Sequence, residues 1–287
     1  MFLMRYQILE TVGSGQYGQV YRGRCLKTQE IVAIKELSLR TVSTHRFIRE
    51  LRALSRSRHP NLVNLVGVEY FPEGRYLILE YCDRGTLRDC INDECFDSIQ
   101  LKLQLIQDVL RGLSYLHEHG ICHCDLKPEN ILLAQGAERV QAKIADLGSA
   151  LRRDILINEK NLESNANPGS PAYMAPERFY GDYSPQTDLY SVGVMLYELL
   201  LNERPYIGKV QELTRGHLSE SIEIPDSIPF FLKSILDTAL QKLPRYRFQS
   251  AQEMLERVEM ALLMLSSEET EPFASYCDAE PVLEYQI

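Results

Sequence analysis

The string His-Cys-Asp-Leu-Lys-Pro-Glu-Asn at residues 123–130 constrains this chain more than any bulk property does. It places a carboxylate (Asp125), an amine (Lys127) and an amide (Asn130) in one short loop. An acid that can orient a hydroxyl, a cation for a phosphoryl oxygen and a neutral oxygen ligand for magnesium are the equipment of phosphoryl transfer. Taken alone, the string reads equally well as a polar loop capping a helix, because Asp, Pro and Asn favour turns. Its company separates the two readings. Val-Ala-Ile-Lys stands upstream at 32–35, and Asp146-Leu147-Gly148 and Ala175-Pro176-Glu177 follow downstream.

This set of motifs resembles that of eukaryotic-type (Hanks-type) serine/threonine protein kinases, in a variant that lacks the arginine before the catalytic aspartate, and the resemblance covers residues 5–265. It implies an α+β, two-lobed protein-kinase fold. Residues 1–82 would form an ATP-binding lobe, a small antiparallel β unit with one helix. Residues 83–265 would form a larger, mainly α lobe for catalysis and substrate, and 266–287 an acidic tail. Gly-Ser-Pro-Ala-Tyr-Met-Ala-Pro-Glu-Arg (169–178) and Asn-Glu-Arg-Pro-Tyr (202–206) resemble bacterial members.

The patterning agrees with that plan. Tyr6–Val12, Gln19–Cys25, Ile31–Leu37, Leu62–Val68 and Arg75–Tyr81 are short runs rich in Val, Ile and Tyr, which predicts strands. Phe47, Ile48, Leu51 and Leu54 predict a helix over 43–57. Asp83-Arg84-Gly85 reads as a linker. Beyond it, helices are expected over 87–92, 98–119, 188–200, 229–241 and 251–265.

Gly13-Ser14-Gly15-Gln16-Tyr17-Gly18 lies between two strand-like runs. Glycines allow a tight turn and close approach of backbone N–H groups to phosphates. A plain β-hairpin turn would carry the same residues. A dinucleotide fingerprint would need a helix after the glycines, whereas Val20–Cys25 alternates as a strand. Lys35 at the end of an apolar strand would be costly to bury without anions. The resemblance implies that ATP phosphates and Glu50 supply them. It also implies that Val20, Ala33 and Leu132 sandwich the adenine, that the backbone of Glu80 and Cys82 bonds its edge, and that Leu79 is the gatekeeper.

By the same resemblance Asp125 orients the acceptor hydroxyl and takes its proton, and Lys127 steadies the phosphoryl group. Asn130 and Asp146 hold Mg2+, with Mn2+ as an alternative ion. Lysine two residues after Asp125 is the serine/threonine pattern, and Ser170 matches the hydroxyl residue that bonds the catalytic Asp and Lys. Asp188 matches a buried helix aspartate that braces the catalytic loop, Arg247 is expected to pair with Glu177, and Leu54, Leu65, His123 and Leu147 to stack between the lobes.

Three departures stand out. Cys124 replaces the arginine that usually precedes the catalytic Asp, which argues against obligatory activation by loop phosphorylation. Arg152 and Arg153 could still meet a phosphate on Ser164 or Ser170. Leu147 replaces the usual phenylalanine and Tyr190 the usual tryptophan, and neither change removes a catalytic group. Cys124 is open to two readings, a redox-sensitive thiol or a small buried hydrophobe. His117, His119, Cys122, His123 and Cys124 cluster in sequence, but without the spacing of a zinc site.

Composition removes other classes. The net charge of −9 divides into +5 over residues 1–82 and −14 beyond, without the basic, aromatic-interleaved clusters of a nucleic-acid binder. No apolar run reaches the length of a membrane span. Seven cysteines without regular spacing argue against a disulfide framework and for a reducing cytoplasm. The expectation is a cytoplasmic serine/threonine kinase acting on Ser/Thr hydroxyls of proteins. The alternatives are an ATP-binding pseudokinase scaffold working through partner contacts and a kinase-fold enzyme for small molecules. Oligomeric state is not legible.

Overall fold

Runs of β-branched and aromatic residues alternating with polar ones pair into one antiparallel sheet at the N-terminal end. Its strands are β1 (Phe2–Leu3), β2 (Tyr6–Gly15), β3 (Gly18–Cys25), β4 (Ile31–Ser38), β5 (Leu65–Phe71) and β6 (Gly74–Glu80). Their spatial order is β1-β2-β3-β4-β6-β5. The computed structural model describes residues 2–3, 5–15, 18–39, 42–71, 74–93, 98–152 and 169–268.

Strand periodicity sorts β4 into two faces. Val32 and Ile34 join Tyr6, Tyr76 and Ile78 in a small core of their own. Leu37, on the face it shares with Ala33 and Lys35, joins the large core that runs into the other lobe. Helix α1 (Thr44–Arg56) crosses this second face, and Ser43 caps it by accepting from the Arg46 N–H at 3.2 Å. Its buried stripe is Phe47, Glu50 and Leu54, while Ile48 is exposed. The stripe therefore sets a carboxylate, Glu50, on one face with Phe47 and Leu54, and Lys35 neutralises it.

The larger lobe comprises α2 (Leu87–Asn92), α3 (Ile99–Glu118), β7 (Ile121–Cys122), β8 (Ile131–Gln135), β9 (Val140–Ile144), β10 (Leu151–Arg152), α4 (Pro185–Leu201), α5 (Val210–Ser219), α6 (Phe230–Ala239) and α7 (Ala251–Glu268). β7 pairs with β10 and β8 with β9, both antiparallel. Leu103, Leu105, Ile106, Val109, Leu110, Leu113 and Leu116 give α3 a wide apolar stripe. α4 is buried almost all round, with Thr187 through Leu199 inside, so it is the post around which the lobe packs.

Several boundaries differ from the expected ones for physical reasons. Leu62 and Val63 do not extend β5; instead they pair with Ile144 across the lobes, Val63 N–H donating to Ile144 O at 2.9 Å. The linker at 83–85 is pinned to β8: Arg84 N–H donates to Leu133 O, Leu133 N–H to Gly85 O and Gln135 N–H to an Asp83 oxygen, all at 2.9–3.0 Å. α5 was not foreseen, because only Leu213, Gly216 and His217 of its residues are buried. α7 runs to Glu268, past the boundary expected at 265, and residues 269–287 of the tail lie outside the described residues. Among the described residues, no helix is long and apolar enough to cross a membrane.

Arg247 and Glu177 form the expected pair, two contacts of 2.7 Å with the guanidinium fully buried. Arg247 also donates to the carbonyls of Gln241, Gln186 and Lys242. Removing one partner strands the other in a dry site. Arg247→Met should therefore lower unfolding free energy by roughly 3–5 kcal/mol in urea titrations. A loss below about 1 kcal/mol, the range of a surface pair, would contradict this.

Candidate active site

Lys35 anchors the site. Its Nζ donates to Glu50 Oε1 at 2.7 Å and to Asp146 Oδ1 at 2.9 Å, and its side chain is 15% exposed. Strand period aims it at α1, and the turn after β9 brings Asp146 to it from the other lobe. Burial works against both charges. Even so, the two carboxylates raise the Lys35 pKa, and Lys35, by charge and hydrogen bond, holds Asp146 down at about 2. Arg49 adds a second link from α1 to the same turn, donating to Gly148 O at 3.0 Å.

Asp146 adopts a left-handed backbone conformation (φ 59°), one of a few non-glycine residues to do so. Its Oδ1 accepts from Gly148 N–H as well as from Lys35, so its Oδ2 is the oxygen left over. Asn130, 8% exposed, donates its Nδ2 to Asp125 O at 2.7 Å, which leaves its Oδ1 as a ligand atom. Among the described residues neither of these two oxygens takes a hydrogen bond. A carboxylate and an amide oxygen of this kind suit a hard divalent cation that keeps some of its waters.

The catalytic-loop geometry rests on Asp188. One of its oxygens accepts from His123 N–H and lies 2.9 Å from His117 Nε2; the other accepts from Cys124 N–H; both backbone bonds are 2.8 Å. Burial disfavours its charge, yet the hydrogen bond and charge of His117 keep its pKa below the usual carboxylate value. These bonds hold Cys124 in a left-handed conformation (φ 65°), where an ordinary side chain is strained. Asp125 is presented just beyond. Its Oδ2 lies 3.6 Å from Lys127 Nζ, and its Oδ1 accepts from Ser170 N–H at 3.1 Å. Ser170 thus reaches Asp125 through its backbone rather than through the hydroxyl expected. His123 Nε2–H donates to Ala145 O, which leaves Nδ1 to accept from Asp125 N–H.

The remaining expected residues fall around the cleft. Gly13, Ser14 and Gly15 end β2, and Gly15 pairs with Gly18 across the hairpin, whose tip at 16–17 lies outside the described residues. Among the described residues a Cβ on Gly13 would meet only Val20 Cβ at 3.9 Å, so none of them demands glycine there. At Gly18 (φ 149°) it would strike Glu36 O at 1.9 Å, so the hairpin itself demands it. Val20 and Leu132 are half-buried on opposite lobes, and Ala33 is buried. Glu80 N–H is taken by Asn64 O, so only its carbonyl could meet a ligand; its carboxylate is held by Lys143 at 2.8 Å and by Asn64. Cys82 is half-buried at the hinge, its thiol pushed up to about 12 by burial first and then by Glu80.

Leu54 and Leu147 belong to one core with Leu65 packed against it, and His123 is fully buried. Cys124 is 7% exposed, and burial raises its thiol pKa well above normal, which favours the hydrophobe over a reactive thiolate. Arg153 and Ser164 lie outside the described residues. His117, Cys122 and Asp188 come together with ligand atoms within 4.8 Å, but the Asp188 oxygens are already engaged as described. Lys143, Arg49 and Arg88, all close to the site, were not anticipated. Only their positions in apolar or turn contexts could have flagged them.

Two lobes bridged by a lysine–glutamate–aspartate triad over such a loop define a phosphotransferase architecture. Residues 6–258 match the protein kinase domain model, and the chain belongs to the protein kinase family. It is 31% identical over 265 residues to a probable serine/threonine-protein kinase of Clostridium perfringens, covering 89% of this chain and 38% of that protein. It is 30% identical to the probable serine/threonine-protein kinase PknB of Lactococcus lactis, covering 89% and 42%. It is 36% identical to serine/threonine-protein kinase ULK3 of Homo sapiens, covering 84% and 52%. The chain thus spans about half or less of the length of these relatives.

The Lys35 pairing has a measurable electrostatic signature. Asp146, depressed to about 2, contributes stability above its unfolded pKa that is lost as pH falls through the folded value. In Lys35→Met the cation is gone while burial remains, opposed only by the Gly148 N–H bond and His123, so the Asp146 carboxyl titration followed by NMR should move up from about 2 toward the ordinary carboxylate value of about 4. A midpoint still near about 2 would show that Lys35 is not the cause.

Proposed function

We propose that this chain is a serine/threonine protein kinase that moves the γ-phosphoryl group of ATP to Ser or Thr hydroxyls of proteins. The observation that carries the reading is the Lys35 ammonium bonded at once to Glu50 and Asp146, opposite the Asp125–Asn130 loop. That arrangement sets one cation at the back of a cleft, with carboxylate and amide oxygens on its far side. The names of the relatives support the same activity.

In this reading the β2–β3 hairpin covers the nucleotide, and the lack of a side chain at Gly13 allows close backbone approach. The adenine lies between Val20 and Ala33 above and Leu132 below, against the Glu80 carbonyl and the Cys82 backbone. Lys35 holds the α/β-phosphates. Asp125 orients the acceptor hydroxyl and receives its proton as the new P–O bond forms and the bond to the β-phosphate oxygen breaks. Lys127 stays beside Asp125 to meet the phosphoryl oxygens. Asn130 Oδ1 and Asp146 Oδ2 would hold Mg2+, or Mn2+, which when bound offsets charge on the phosphates. The residues of 169–177 lie beside Asp125 through Ser170 and suit an extended peptide better than a small molecule. A reducing cytoplasm suits a chain whose seven cysteines lack the spacing of a disulfide framework.

Transfer from γ-labelled ATP with Mg2+ to a generic basic protein tests the reading. The wild type should label Ser or Thr, and Asp125→Asn should lose at least about a hundredfold in rate, the usual contribution of a positioned acid–base group. A folded wild type that binds ATP and transfers nothing would overturn the reading in favour of a pseudokinase scaffold.

A further inference from the structure

Tyr190, which stands where a tryptophan is usual, belongs to a buried network that takes no part in the chemistry above. It lies on α4 and is fully buried. Its hydroxyl is 2.8 Å from Nδ1 of His217, a residue of α5 that is also fully buried. His217 Nε2 in turn lies 3.1 Å from Ala172 O. A carbonyl oxygen can only accept, so Nε2 carries the ring proton and Nδ1 is left to accept from the Tyr190 hydroxyl. One imidazole thus links α4, α5 and the turn Pro171–Tyr173.

The surroundings fix that ring and keep it neutral. Arg247 Cζ sits 4.7 Å from the centroid of the Tyr190 ring, which ties Tyr190 to the Arg247–Glu177 pair. Tyr206 packs edge-on against the imidazole with ring centroids 5.0 Å apart. Gly216 makes room for it, since a Cβ there would lie 2.6 Å from two Tyr206 ring carbons. Lys242 Nζ donates to the Tyr206 hydroxyl at 2.9 Å and to Gly216 O at 3.1 Å. Burial lowers the His217 pKa most, the bond to Ala172 O opposes it and the charge of Lys242 adds to it, which brings the ring to about 4.

The turn that His217 holds reaches the reacting groups. Ala172 is two residues from Ser170, whose N–H meets Asp125 Oδ1 at 3.1 Å. Tyr173 N–H donates to Ser170 O at 3.0 Å, so the turn closes on itself. Its far end is fastened by Ser191 Oγ, which donates to Tyr173 O at 2.7 Å. The turn therefore has two anchors, Ser191 on the enclosed helix α4 and His217 on α5. α5 buries only Leu213, Gly216 and His217, so its place beside the turn rests on few contacts.

We propose that His217 is a positioning residue for the protein substrate: by holding the Ala172 carbonyl it sets the turn beside Asp125 along which an extended peptide lies, and the Tyr190 hydroxyl selects the tautomer able to do so. The proposal rests on the kinase reading above. A leucine at 217 would leave two buried polar groups, Ala172 O and the Tyr190 hydroxyl, without their partner. The turn would shift to satisfy them and peptide binding would weaken, while the nucleotide, held between the lobes, would bind as before.

Steady-state kinetics with a Ser-containing peptide and ATP tests this in His217→Leu, His217→Gln and Tyr190→Phe. Leucine should raise the peptide KM by about tenfold, as stranding a buried polar group gives, with the ATP KM within about twofold of wild type. Glutamine, whose amide can donate from close to the Nε2 position, should bring the peptide KM back to within about threefold of wild type. Tyr190→Phe should raise it by a smaller factor and move the His217 ring toward a mixture of tautomers in 15N NMR spectra. Should the leucine protein fail to fold, His217→Asn, too short to reach Ala172, takes its place. An unchanged peptide KM, an ATP KM that rises as much, or a glutamine variant no better than leucine would overturn the proposal. Amide hydrogen exchange separates it from the kinase reading. Faster exchange of the Tyr173 amide in His217→Leu, with the core of α4 unchanged, would sustain the anchor even if no protein transferred phosphate. Equal exchange at Tyr173 would end it even in an active kinase.

Discussion

A lysine ammonium enclosed by protein is expensive unless anions meet it, and here two do. Lys35 arrives on the central part of β4, Glu50 on α1 and Asp146 on the turn after β9, so one cation draws together three elements from two lobes. The consequences spread outward. Glu50 can occupy the buried stripe of α1 only because Lys35 is beneath it. Asp146 is turned so that Oδ1 meets the lysine and Gly148, leaving Oδ2 without a hydrogen bond among the described residues. Arg49 then closes a second bond from α1 to the same turn.

The other half of the site depends on a different buried charge. Asp188, on the enclosed helix α4, draws the His123 and Cys124 amides and the His117 ring onto one carboxylate. That grip sustains the left-handed backbone at Cys124 and so aims Asp125 into the cleft. Cys124 supplies no charge to this arrangement; its buried thiol is packing. The loop is therefore braced from below by α4 and from the side by the Ser170 amide.

Much of this was legible in the chain. Strand alternation and the leucine spacing of α1 and α3 were strong because each element has one wet and one dry face. The groups that meet at the site, Lys35 with Glu50 and Asp146, and Asp125 with Lys127 and Asn130, were named from motifs and the family resemblance they carry. What escaped was contact that has no local signature. α5 buries too few residues to show a period. Leu62 and Val63 look like strand but are used to join the lobes. Lys143, which fastens Glu80 at the hinge, and Arg88, which pairs with Glu129 and Glu198, are single charges whose partners lie far away in sequence.

The central claim is that Lys35 holds α1 against the Asp146 turn before any ligand binds. Amide hydrogen exchange of the nucleotide-free protein measures this directly, comparing wild type with Lys35→Met over residues 44–56 and over α4 as a reference. Faster exchange in α1 with α4 unchanged is the predicted result. Identical exchange of α1 in the two proteins would mean that packing alone positions the helix and that the lysine is a passenger in the apo fold.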